Sequence, residues 1–248
     1  MRFHEFNQID EAMPNWAKKL GAAATLGVAA TTGYQGLKDP GGTTKSIDQI
    51  ERELDAATPK IKADSGLVQQ LLGVLKTPAA THLVREARAA GMKGRELAQF
   101  LAQCAHESLN FELVKELGDE KYFRMYDIKY APEKAKELGN VRPGDGARYA
   151  GRGYIQLTGR ENYRRAGRAL GLPLEEHPEL VERPDVAAKV SVWFWKNRVQ
   201  PRINDYSNTP AVTKPINKGL KAVEERHEKY KAFAHILGVL NWPSYKNT

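Results

Sequence analysis

A single cysteine, Cys104, stands in 248 residues, so no intramolecular disulfide can brace this chain. Its place on an apolar helical stripe makes it a small core hydrophobe rather than a redox or catalytic thiol. Histidine is scarce too: there are six, and none falls into a metal-ligand spacing. His106-Glu107 opens like the zinc-protease pattern His-Glu-x-x-His, but position 110 is Asn110 and the pattern fails. Neither a metal nor an organic cofactor is expected. Acidic side chains are outnumbered, 30 against 38 Lys and Arg, which leaves a formal charge of +8 and a pI of about 9.4. Such a chain is drawn to polyanions: nucleic acid, anionic membranes and bacterial envelopes all qualify, and charge alone does not choose. Hydrophobic content of 41% and charged content of 27% are those of an ordinary globular protein.

A long, strongly apolar run is also missing. Residues 20–37, LGAAATLGVAATTGYQGL, carry no charge but consist largely of Ala, Gly and Thr. As a helix they would span about 27 Å, just short of a typical hydrocarbon core. Three readings stand: a weak signal or releasable anchor oriented by Lys18-Lys19, a small-residue helix packed on a partner, or a flexible leader. Asp39-Pro40-Gly41-Gly42 reads as a linker, and Ser46 caps a short charged helix that ends before Pro59. Residues 1–66 are therefore assigned to an N-terminal leader and 67–248 to one globular domain.

Helical periodicity dominates that domain. Leu67, Val68, Leu71, Leu72 and Leu75 form one stripe. Thr81 is placed as the cap of a second helix carrying Leu83, Val84 and Ala87, which stops at Gly91. Residues 95–108 form a third, Ala187–Asn197 a fourth and Ala222–Leu237 the last. Only Tyr154–Thr158 alternates as a short strand would. Trp193, Phe194 and Trp195 are consecutive on a helix and point in different directions, so most must pack inward.

The chemistry concentrates at residues 98–116, AQFLAQCAHESLNFELVKE. Glu107 lies in the last turn of the third helix beside its apolar face, where partial desolvation would favour the protonated form. Glu116 is nine residues on, which on one straight helix means the opposite face, about 13.5 Å along the axis. The two carboxylates can meet only if the helix breaks, and Ser108-Leu109-Asn110 is the natural place. Glu112, Asp119 and Glu120 are rivals for the second carboxylate. Two carboxyl groups roughly 6.5–9.5 Å apart suit inverting hydrolysis of a glycosidic bond, one protonating the leaving oxygen and the other activating water.

Taken in order, AQFLAQCAHES, YAGRGYIQLTGRENY, HPELVERPDVAAKVSVWFW and INKGLKAVEERHEKYKAF resemble the lysozyme-like catalytic domain of glycoside hydrolase family 19, which includes plant chitinases and phage endolysins. The likeness covers about residues 67–240, and its sharpest pieces are His-Glu-Ser and Gly-Arg-Gly-x-Ile-Gln-Leu-Thr. It implies a mainly α (α+β) fold, two-lobed and helical, with a small β element and a catalytic groove. It further implies Glu107 as general acid, Glu116 as general base and Thr158 as the hydroxyl that helps hold the attacking water. His106, Gln156, Asn162 and Asn217 match polar groove positions. Tyr154 and Tyr163 either present rings to sugars or pack in the core. Arg226 either pairs with a catalytic carboxylate and holds it ionised, or lies on a solvated helix face.

Three departures narrow the resemblance. Lys218 stands where the family usually has Gly, the cysteines that brace plant chitinases are absent, and the segment from Glu116 to Gly151 is short. The last two favour compact phage-type or bacterial members. Arg142-Pro143-Gly144-Asp145-Gly146 reads as an exposed turn rimming the groove, with no catalytic role for Asp145. The function implied is a muralytic, endolysin-like glycosidase that cleaves β-1,4 bonds between amino sugars in peptidoglycan; chitin is the alternative substrate. A different class of answer is an inactive basic virion-structural or nucleic-acid-binding protein. The expected partners are glycan strands and the anionic bacterial envelope, with transient membrane association through residues 20–37 and no nucleic acid. A monomer is expected, made in a host cytoplasm and acting on the cell wall, released through a weak anchor or with the help of a holin.

Overall fold

The computed structural model describes residues 78–240, together with Gln49 and Arg52. The chain divides into two units, Met1–Thr58 and Pro59–Thr248, and residues 78–240 all belong to the second. Gln49 and Arg52 are helical and fall on the short helix expected after Ser46, whose other residues, like the uncharged stretch 20–37 and the stripe from Leu67 to Leu75, lie outside the described residues. Among those described, no helix is long and apolar enough to cross a membrane.

The centre of the fold is the helix Gly94–Glu107, labelled α2, in which every residue from Leu97 to Ala105 is buried. A helix buried on all sides needs partners all round. Its most extensive contacts are with the last helix, α9 (Val223–Ile236). Beside it, α1 (Pro78–Ala89) packs on α7 (Pro184–Phe194). Thr81 is thus inside α1 rather than at its cap, because Pro78 already occupies the first turn, where its missing N–H costs nothing. Two glutamines on α2 would be costly to bury unpaired. Their amide nitrogens are paired, Gln99 donating to Thr209 Oγ1 at 2.8 Å and Gln103 to Thr213 Oγ1 at 3.1 Å, both on α8 (Thr209–Thr213), while Gln99 Oε1 is buried without a partner. Cys104 is fully buried, and burial pushes its thiol well above the usual value, as suits a core residue. Trp195 is fully buried against Phe100 and Phe194 is nearly so, while Trp193 is half-buried.

A second group of short elements stands after α2: α3 (Glu120–Phe123), a 3₁₀ turn (Arg124–Tyr126), α4 (Pro132–Leu138) and α5 (Asp145–Arg148). The helix α6 (Arg160–Leu170) contacts both α4 and α7, and so joins this lobe to the core. Here the sequence misleads in two ways. No strand forms at Tyr154–Thr158. Residues 153–156 make a tight turn closed by the bridge between Arg152 and Leu157, and Arg152 also bridges to Lys115. Among the described residues, the small β element is reduced to these two isolated bridges. Asp145, placed on an exposed turn, is buried and accepts from the amides of Val141 and Arg142 and from Arg160.

Candidate active site

Helix α2 ends at Glu107, and the break that the carboxylate pair requires is present. Ser108 closes the helix by donating Oγ to the Cys104 carbonyl at 2.6 Å. Leu109, Asn110 and Phe111 then all take positive φ, at 47°, 58° and 72°. Non-glycine residues in this region cost roughly 1–2 kcal/mol each. The turn is held by what surrounds it. Phe111 is buried edge-on against Tyr154, and the buried Lys229 of α9 donates to Asn110 Oδ1 at 2.6 Å.

On one side of the break is Glu107, partly exposed. Its Oε1 accepts from Arg226 Nη2, a side chain that is only 1% exposed. The same guanidinium donates through Nη1 to Gln103 at 2.6 Å and through Nε to the Lys221 carbonyl at 3.2 Å. Arg226 is therefore not on a solvated face: a planar fork with three acceptors fixes where the Glu107 carboxylate stands. His106 turns Nδ1 towards Glu225 of α9, 3.4 Å away, which commits that edge of the ring to helix packing rather than to a sugar. The imidazole beside Glu225 holds that carboxyl below its ordinary value.

On the other side is Glu116. Its Oε1 accepts from Tyr122 at 2.8 Å and from Tyr126 at 3.0 Å, and its Oε2 from the Gly151 amide at 2.9 Å. Burial, with the Glu116 charge next to it, pushes both phenols up, so they remain donors over the physiological range. A carboxylate has about four lone-pair positions, so three donors leave one open, and it is on Oε2. That oxygen faces a cluster. A methyl group built on Gly151 would lie 3.1 Å from Glu116 Oε2, 2.8 Å from Gln156 Oε1 and 3.3 Å from Thr158 Oγ1. Three polar oxygens thus converge over one bare Cα. The Thr158 hydroxyl donates to the Gln156 carbonyl at 2.9 Å, which leaves its own lone pairs free to accept from water. The backbone locks the arrangement, since Glu116 N donates to Gly151 O at 2.8 Å and Gly153 N to Val114 O at 2.8 Å. Of the rivals, Glu112 and Glu120 are exposed and Asp119 caps α3 through the Tyr122 amide.

Several expected groove residues have other duties. Tyr154 and Tyr163 are both fully buried and can offer no ring to a sugar. Tyr163 donates to the Ala150 carbonyl at 2.7 Å, and the Tyr154 hydroxyl finds no partner. Gln156 has φ of +51°, with its amide nitrogen on the Gly153 carbonyl and its oxygen in the cluster. Asn162 donates to the Thr158 carbonyl at 2.7 Å, which positions that residue. Asn217 accepts from Gly219 N and shapes the loop it sits in. Sequence reasoning misses Tyr122, Tyr126 and Gln103, and meets Gly151 only as the first glycine of the Gly-Arg-Gly motif. The tyrosines carry a faint signal, standing six and ten residues after a candidate base, and Gln103 carries none. Among the described residues, no three His, Cys, Asp or Glu side chains converge as a metal centre needs.

A helical core, a carboxylate fixed by a buried arginine and a second one facing polar oxygens define a glycan-cleaving hydrolase of the lysozyme-like kind. The family model described as "Chitinase class I" matches residues 83–218, more than half of the chain, and the protein belongs to glycoside hydrolase family 19. A glycosyl hydrolase family 19 domain-containing protein of Haemophilus influenzae is 36% identical over an alignment of 157 residues that covers 54% of this chain and 76% of that one. An endochitinase of Arabidopsis thaliana is 36% identical over an alignment of 152 residues that covers 58% of this chain and 49% of the plant protein. Chitinase C of Streptomyces griseus superposes with a TM-score of 0.56 at 27% identity, covering 74% of this chain and 99% of that structure.

Proposed function

We propose that this glycosidase hydrolyses β-1,4 bonds between the amino sugars of peptidoglycan, with inversion at the anomeric carbon. Glu107 gives its proton to the glycosidic oxygen as the bond to the anomeric carbon breaks. Glu116 takes a proton from the water that attacks the opposite face, and exchange with solvent restores both groups. The observation that carries the base assignment is the single open lone pair of Glu116, on the oxygen facing Thr158 and Gln156. Glu112 and Glu120 are exposed, and Asp119 is spent on capping α3. Arg226 fixes where the Glu107 carboxyl stands.

Two features support peptidoglycan. The net charge of +8 suits an anionic wall. The loop 214–221, tied to Arg226 through the Lys221 carbonyl, contains three exposed lysines (Lys214, Lys218 and Lys221) and no acid. The names of the plant and Streptomyces relatives favour a second reading, chitin. Purified peptidoglycan and chitin oligomers, digested in parallel and read by mass spectrometry, separate the two and identify the bond cut. Glu107→Gln and Glu116→Gln are each expected to abolish product while retaining the native melting curve. Normal turnover by either variant would sink the two-carboxylate assignment, and an anhydro-sugar product would replace hydrolysis with transglycosylation. On this reading the protein acts at the bacterial cell wall. Fractionation and mass measurement of the expressed chain test whether residues 1–37 anchor it or are removed.

A further inference from the structure

Six large hydrophobic side chains stand exposed among the described residues, and five of them (Leu117, Tyr122, Met125, Tyr130 and Val141) fall within 117–141, the segment just after Glu116. Tyr122 differs from the other four. It is 39% exposed, yet its hydroxyl donates to Glu116 Oε1 at 2.8 Å. Its orientation is set in advance. A methyl on Gly118 would come within 2.3 Å of Tyr122 Cδ1 and 2.9 Å of Cγ, so the ring lies on a backbone that has no side chain to push it away. Its amide is held by Asp119 Oδ1 at 2.7 Å. Phe123 and Tyr126 meet the ring at interplanar angles of 80° and 88°, with centroids 5.3 and 6.4 Å away. The sequence offered Tyr154 and Tyr163 as rings for sugar, and both are in the core; Tyr122 is open to water and touches a proposed catalytic group.

A rigid, half-exposed aromatic ring next to a carboxylate suits one kind of ligand. The electron-rich face attracts the polarised C–H groups on the flat side of a pyranose, while the hydroxyl end remains polar. We propose that Tyr122 is the sugar-stacking platform beside the Glu116 subsite and, through its hydroxyl, a positioning residue for Glu116. The positioning half rests on the reading of Glu116 as the base; the stacking half does not. One side chain then registers the sugar and sets the direction of the open lone pair. Tyr126, whose hydroxyl reaches the same oxygen at 3.0 Å, shares only the positioning task.

Substitution separates the two roles. Steady-state kinetics on soluble amino-sugar oligomers would compare Tyr122→Phe, Tyr122→Leu, Tyr122→Trp and Tyr126→Phe with the wild type. Tyr122→Phe keeps the platform and loses one donor to a charged acceptor, so kcat should fall roughly tenfold with KM unchanged. The acidic limb of its pH–rate profile should move to higher pH, because the carboxylate loses a bond to its charged form. Tyr126→Phe should behave alike. Tyr122→Leu should add a rise in KM of roughly fivefold or more, and Tyr122→Trp should keep KM low without restoring kcat. Should the Leu variant fail to fold, the Phe and Trp variants still decide. Equal KM values for wild type, Leu and Trp variants would overturn the platform, as would a KM in the Trp variant raised beyond that of Phe. A Phe variant with wild-type kcat and pH profile would overturn the positioning role. If Glu116→Gln is fully active while Tyr122→Leu raises KM, the base assignment fails and the platform stands.

Discussion

Gly151→Ala is the sharpest test of the water-activating cluster, since it adds one methyl where three oxygens meet. The new carbon would stand 2.8 Å from Gln156 Oε1, 3.1 Å from Glu116 Oε2 and 3.3 Å from Thr158 Oγ1. Ordinary contact begins at 3.4 Å, so Gln156 must retreat by 0.6 Å, Glu116 by 0.3 Å and Thr158 by 0.1 Å. Gly151 does not have the positive φ that would strain an alanine, so the fold should tolerate the change. Glu116 cannot simply swing away, because Tyr122, Tyr126 and the Gly151 amide hold it from three directions. A misplacement of 1 Å costs about 10²-fold in rate, so shifts of a few tenths of an ångström should lower kcat roughly tenfold. Initial rates on amino-sugar oligomers measure this, with circular-dichroism melts as the control for folding. An unchanged kcat in a well-folded Gly151→Ala protein would refute the idea that water is activated over this Cα.

Two further outcomes concern Arg226 and His82. Arg226→Met strips three acceptors of their buried donor, leaving the Glu107 carboxylate and Gln103 Oε1 unpaired, and should lower stability by about 3–5 kcal/mol in denaturant melts; Arg226→Lys should recover part of it, because one ammonium cannot reproduce the fork. Partial burial lowers His82 below its usual 6.5, with Arg85 adding to the effect, and its buried Nδ1 has no hydrogen-bond partner. Its contribution is fully present above pH 6.5, where both states are neutral, and declines as pH falls through the lower folded value, because the unfolded chain takes up its proton first. Melts between pH 7.5 and about 5 should show this loss, and His82→Gln should flatten it.

The residues alone are a sound guide where a single local rule governs. The apolar period places α2 and α9 to within a residue or two, and the geometry of nine helical steps demands the break that Leu109, Asn110 and Phe111 supply. The failures have local causes as well. Tyr154–Thr158 alternates as a strand does, yet Gly153 with φ of +71° and Gln156 with φ of +51° turn the chain before a strand can extend. The strongly amphipathic α6 escapes the apolar period because its arginines hide a narrow stripe of Tyr163, Ala166 and Gly167.

The sequence by itself determined the helical class, the family resemblance and the two carboxylates worth testing, since periodicity and motif spacing are short-range properties. Only the tertiary structure decided what surrounds them. Arg226 lies 119 residues beyond Glu107, and Gly151 lies 35 beyond Glu116. Contacts so distant along the chain depend on how buried helices pack, and no periodicity encodes them. The same packing sent Tyr154 and Tyr163 inward and left Tyr122 at the surface, because a ring is buried or exposed by the side chains that close around it.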